Sequence, residues 1–97
     1  MRVFSKKILR EFWLKHNDAE EQLKTWYKEA SNSSRETPFE IKSEYATASI
    51  LKRGRVVFNI CGNRYRLIVE ISYKRQWVFI RFIGTHNDYN KIDTEII

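Results

Sequence analysis

The sequence predicts an α+β fold, with two N-terminal helices packed on a small antiparallel β-sheet. Apolar residues recur at helical spacing over the first third of the chain. Three runs rich in β-branched and aromatic residues fill the second half, separated by short polar turns. With 97 residues, 42% hydrophobic and 14% aromatic, the chain has material for one packed core. Residues 1–97 therefore read as a single domain.

Residues 1–34 read as a helical hairpin. Phe4, Ile8, Leu9, Phe12 and Trp13 fall on one side of a helix over residues 4–16, with Lys6, Lys7, Arg10 and Glu11 elsewhere on the wheel. Asn17 and Asp18 interrupt it. Asp18 is placed to cap a second helix, and Glu21 three residues on completes a capping-box pattern. Ala19, Leu23, Trp26, Tyr27 and Ala30 continue at helical spacing until SNSS at 31–34 ends the run. Pro38 then disfavours helix at Thr37. Residues 39–51 lack a clean period, and SEYATASIL has room for a short helical turn.

Residues 55–84 read as an antiparallel β-meander. Residues 56–60 form its first strand, and Gly62 and Asn63 suit a hairpin turn. Residues 65–73 form the second strand, and Lys74, Arg75 and Gln76 the next turn. The third strand, 77–83, is apolar on both alternating sets: Trp77, Phe79 and Ile83 on one, Val78, Ile80 and Phe82 on the other. A strand of that kind is central and covered twice. The helices cover one face, leaving part of the other to something else, such as a partner protein. Trp77, Phe79 and Phe82, with Leu67, Val69 and Ile71, are expected in the core. Residues 87–92 allow one more helical turn.

Charge narrows the function classes. The net charge is +6 and the pI about 9.6, which suits a polyanionic partner: nucleic acid, an anionic membrane surface or an acidic protein. The charge is concentrated on the meander, where residues 52–84 carry eight Lys or Arg against Glu70 alone. The lone Cys61 forms no internal disulfide and suits a reducing compartment. The first residues are basic, as in a signal peptide, but Arg10, Glu11 and Lys15 break any apolar run after them. A soluble, cytoplasmic protein is expected, with no membrane partner.

Several residues could carry chemistry. Arg64 and Arg66 are two apart, so a strand places both on one face, where guanidinium donors match phosphate oxygens. A solubilising edge would have the same pattern. Arg81 interrupts an apolar strand, and it either pairs structurally, with Glu70 on the neighbouring strand, or points into a site. His86 can move a proton near neutral pH, and Tyr89 can orient a phosphate or stack on a base. Equally, Thr85 and His86 could be a plain turn with Thr85 as a cap. Phosphate-loop spacing, paired carboxylates and Cys/His metal spacing are missing. Cys61 reads as a small apolar residue, not a nucleophile.

Two runs resemble a known family. VVFNICGNRYRLIV contains V-F-N-x-x-G-N-x-x-R-L at 57–67, and VFIRFIGTHNDYNKID contains R-x-x-x-T-H-x-x-Y at 81–89. Together with their spacer they cover about a third of the chain and resemble HigB-type toxins, part of the RelE-like mRNA interferase group of type II toxin–antitoxin modules. The resemblance implies a RelE/ParE-like fold and an endoribonuclease that cuts mRNA on the translating ribosome. It implies no metal or other cofactor, because the RNA 2′-hydroxyl attacks the adjacent phosphate. It also implies a HigA-like helix-turn-helix antitoxin, with DNA met only through that complex. Carried over residue by residue, it assigns Arg66 and Arg81 to the scissile phosphate, His86 to proton transfer and Tyr89 to orienting or stacking on the RNA. Asn63, Arg64, Lys74, Arg75 and Thr85 become RNA-binding residues. The alternatives are a ParE-like toxin that inhibits gyrase, and a non-catalytic basic module that binds RNA or protein.

Overall fold

The computed structural model describes residues 1–94 and 96–97. In chain order the elements are β1 (Arg2–Phe4), α1 (Lys6–Lys15), a 3₁₀ turn (Asn17–Ala19), α2 (Glu20–Asn32), α3 (Pro38–Glu44), β2 (Ser49–Ile50), β3 (Arg55–Ile60), β4 (Tyr65–Ser72), β5 (Trp77–Thr85) and α4 (His86–Tyr89). The architecture is mixed α+β around a five-stranded sheet of order β1-β5-β4-β3-β2. β2 to β5 pair antiparallel, whereas β1 pairs parallel with β5.

The N-terminal region differs from the sequence expectation. A strand precedes the helices, so the sheet is not wholly antiparallel, and Phe4 pairs with Phe79 instead of joining the first helix. Ser5, at φ 76°, turns the chain from β1 into α1. α1 buries Leu9 and Trp13, and α2 buries Leu23, Trp26 and Ala30. These meet Val56, Phe58, Leu67, Val69, Val78 and Ile80 in one apolar cluster on the inner face of the sheet. Asp18 does not cap α2: Ala19 occupies that position without a side-chain bond, and the Asp18 carboxylate turns to Tyr65 and Arg64.

α3 is a helix where the sequence shows no clean period. Thr37 accepts from the Glu40 amide, Glu40 accepts from the Thr37 amide, and Pro38 opens the first turn. Pro38 does keep Thr37 extended, but it also presets the dihedral of the helix that follows.

The alternation of β5 changes midway. Ile68 pairs with Phe82 and Val69 with Ile80, which leaves Arg81 as an extra residue in a β-bulge. Val78, Ile80 and Ile83 therefore face the helices, while Trp77, Phe79 and Phe82 are half-buried on the outer face. The expected face assignment fails at Arg81, because a bulge inverts a period of two. The chain itself covers part of the outer face. α4 packs on β4 and β5, and the Arg55 guanidinium donates to the Ile97 carbonyl at 2.6 Å. Val57 and Ile68 are buried although they lie outside the helix-side cluster.

Candidate functional site

The site grows from the junction of β5 and α4. Thr85 ends the strand in extended geometry, and its Oγ1 accepts from the Asp88 amide at 3.1 Å. Asp88 Oδ2 accepts from the Thr85 amide at 3.3 Å, completing a capping box. The His86 amide donates to the Arg64 carbonyl at 3.1 Å, which ties α4 to the β3–β4 turn. His86 is thus fixed in backbone yet exposed in side chain.

Arg66 meets it from the neighbouring strand, where it lies opposite Gly84. Its Nη2 stands 2.9 Å from His86 Nδ1. A guanidinium has donors only, so Nδ1 is the acceptor and the ring proton sits on Nε2. Nη1 of Arg66 donates to the carbonyls of Asn63 at 3.1 Å and Tyr65 at 3.3 Å. The ring of Tyr89 flanks the same guanidinium, 5.8 Å from its centre. Gly84 keeps this corner compact: an added Cβ there would stand 2.5 Å from the Phe82 ring.

The structure brings Arg66, His86 and Tyr89 together. Asn63 supports them through its carbonyl, and Thr85 through its cap. The other candidates stand apart from that group. Arg64 pairs with Asp18. Arg81, on the bulge, bonds Glu70 through Nη2 at 2.6 Å and Nε at 3.0 Å. Lys74 and Arg75 sit in the β4–β5 turn at the opposite end of the sheet, with Arg75 over the Trp77 ring at 4.9 Å.

Asp18 and Tyr65 are supporting residues that the sequence reading did not single out for the site. Tyr65 Oη donates to Asp18 Oδ1 at 2.6 Å while Arg64 holds the other oxygen. The Tyr65 hydroxyl first, then the Arg64 bond, keep the Asp18 carboxyl below its ordinary range. Asp18 in turn pushes the Tyr65 hydroxyl up. The signal available in the sequence was the alternation that places Tyr65 on the helix side while Arg66 faces out. Cys61 lies beside this network. Burial, then the Asp18 charge, push its thiol up, away from the thiolate a nucleophile requires.

Among the described residues, no three His, Cys, Asp or Glu side chains gather as a metal-binding group. No helix among them is long and apolar enough to cross a membrane. A groove beside α2 is lined by Trp26, Tyr45 and Phe58 with Glu21 and Glu29, and none of the candidate residues lines it.

A family model described as HigB_toxin, RelE-like toxic component of a toxin-antitoxin system, matches residues 19–92. No curated protein matches the chain. The matched span takes in α2, the whole of the β2–β5 sheet and α4, including Arg66, His86 and Tyr89. The chain belongs to the HigB toxin family, the RelE-like toxic components of toxin–antitoxin systems.

Proposed function

We propose that this toxin is an endoribonuclease that cuts mRNA on the translating ribosome without a metal, by attack of the RNA 2′-hydroxyl on the adjacent phosphate. The observation that carries this reading is the 2.9 Å contact between Arg66 Nη2 and His86 Nδ1, flanked by the Tyr89 ring. The reaction needs a cation on the developing phosphorane charge, a group that moves a proton, and a surface that holds the base. Arg66, His86 and Tyr89 are of those types, in contact, at the exposed end of a basic sheet.

In the free protein the Arg66 bond occupies the His86 Nδ1 lone pair. A phosphate oxygen is the better acceptor for a guanidinium. The scissile phosphate therefore draws Arg66 to itself and frees the imidazole nitrogen for proton transfer. The O2′–P bond forms as the P–O5′ bond breaks, leaving a 2′,3′-cyclic phosphate and a 5′-hydroxyl. The proton lost from the 2′-oxygen is balanced by one delivered to the 5′-oxygen. Arg81 reaches toward the substrate along β5 and exchanges Glu70 for phosphate. Arg64, Lys74 and Arg75 hold backbone by charge. Family membership implies an antitoxin partner, which we take to be a HigA-like helix-turn-helix protein that alone brings the toxin to DNA. The working compartment is the cytoplasm, where ribosomes are.

Brief induction followed by primer extension on cellular mRNA tests the reading. Cuts within coding regions are expected, and they should vanish when translation is blocked. His86→Ala and Arg66→Ala should each abolish both cuts and growth arrest while the circular-dichroism spectrum is retained. Growth arrest by a folded His86→Ala protein would overturn the enzymatic assignment. Intact mRNA with altered DNA supercoiling would point to gyrase instead.

A further inference from the structure

The outer face of the sheet holds a second constellation, at the end away from His86. Phe4 of β1 stacks on Phe79 of β5, with ring centres 4.9 Å apart and planes 14° apart. Trp77 meets both edge-on, at 5.8 Å from Phe4 and 6.0 Å from Phe79. Each ring carries its own guanidinium: Arg2 over Phe4 at 5.1 Å, Arg75 over Trp77 at 4.9 Å and Arg81 over Phe79 at 5.3 Å. All three rings are half-buried and all three arginines exposed.

A core does not need this arrangement. The buried cluster lies on the other face and includes none of these six residues. Three half-buried rings with an exposed arginine on each make a surface of π-faces and cations together. Single-stranded RNA matches both: its bases stack on aromatic rings and on guanidinium planes, and its phosphates take the cations. We propose that Phe4, Trp77 and Phe79, with Arg2, Arg75 and Arg81, form a stacking subsite for single-stranded mRNA, a few nucleotides from the scissile phosphate. This rests on the cleavage reading above for the identity of the strand. Continuity supports it: Phe79 and Gly84 pair with Glu70 and Arg66, four residues and so about 14 Å apart along β4, and on the same outward face. Arg81 stands between the two, bound to Glu70 until phosphate replaces it.

The test measures binding apart from cutting. The probe is a short single-stranded RNA with 2′-O-methyl riboses throughout, which cannot be cut by 2′-hydroxyl attack. Fluorescence anisotropy with the free toxin reads its Kd. Trp77→Ala, and separately Arg2→Ala with Arg75→Ala, should each weaken binding by at least about fivefold. Abasic substitutions in the probe should weaken binding to the intact protein similarly, which removes misfolding as an explanation. On translating ribosomes, a matching cleavable mRNA should show a higher KM with kcat unchanged in the Arg2/Arg75 variant. Equal binding of intact and abasic probes would overturn the stacking subsite. So would displacement of the probe by poly-glutamate with no base dependence, since the surface would then be built for an acidic protein. Base-dependent binding by a toxin that cuts no mRNA would leave the subsite standing and remove the nuclease reading instead.

Discussion

A single carboxylate organises the end of the molecule where His86 sits. Asp18 accepts from the Tyr65 hydroxyl with one oxygen and from Arg64 with the other. The carbonyl of Arg64 holds the His86 amide. Asp18 thus positions the histidine through two links without touching it. Its pKa is lowered in the folded state, first by Tyr65 and then by Arg64. A depressed folded pKa contributes stability that is present above the unfolded value, near 3.8, and lost as pH falls through the folded pKa. Asp18→Asn removes the charge and leaves the size. Its Tm should fall below that of wild type at neutral pH, and the gap should close as pH falls through the lowered folded-state pKa of Asp18, below which both side chains are neutral. Thermal melts at several pH values check this. A gap that persists at low pH would mean the network acts through shape alone. From the sequence, Asp18 looks like a helix cap. Its true partners lie more than forty residues away, and local spacing carries no information at that distance.

At the scale of elements, legibility followed locality. The runs 56–60, 65–73 and 77–83 showed themselves because β-branched residues alternate and Gly or polar turns bound them. α3 hid because its capping box lies in side-chain geometry around a proline that reads first as a breaker. β1 hid because three residues have no period, and its parallel register with β5 joins the two ends of the sequence. The bulge hid because a bulge is a property of two strands, not one. Even so, the quoted runs carried Arg66, His86 and Tyr89, and only their mutual contact had to be seen. The turn before β3 gives the sharpest element-level expectation. Gly54 adopts φ +74°, and a Cβ there would stand 2.6 Å from the Ile71 carbonyl oxygen, against the Ile71 backbone. Its own carbonyl accepts from the Ile71 amide at 2.8 Å, so the turn cannot simply move away. Gly54→Ala should destabilise the protein by more than about 1 kcal/mol. Urea unfolding would show this as a lower midpoint with unchanged slope. An unchanged midpoint would mean that the turn has a second conformation of similar energy.

For the molecule as a whole, the decisive feature is where the charge lies. The helical half is nearly balanced, whereas residues 52–84 set eight basic side chains against Glu70. The sheet presents four of them along one axis: Arg66 beside His86, Arg81 midway, Lys74 and Arg75 at the far turn. Such a stripe suits the phosphate backbone of the proposed RNA substrate. Its binding must then depend on salt, because each neutralised phosphate releases counterions, with a slope of about −0.7 in log K per log salt for a single strand. Arg66→Gln and Arg75→Gln should each reduce that slope by about 0.7. Glu11→Gln, an exposed change on α1, should leave it unaltered. Titrating the non-cleavable RNA from about 50 to about 200 mM salt measures all three. If affinity hardly changes across that range, the stripe does not meet phosphates, and the basic sheet is a surface for a protein partner held by packing. If the two arginine variants lose slope equally, one strand of RNA engages both ends of the sheet. The contact at His86 and the aromatic rings at the far edge would then belong to a single substrate path.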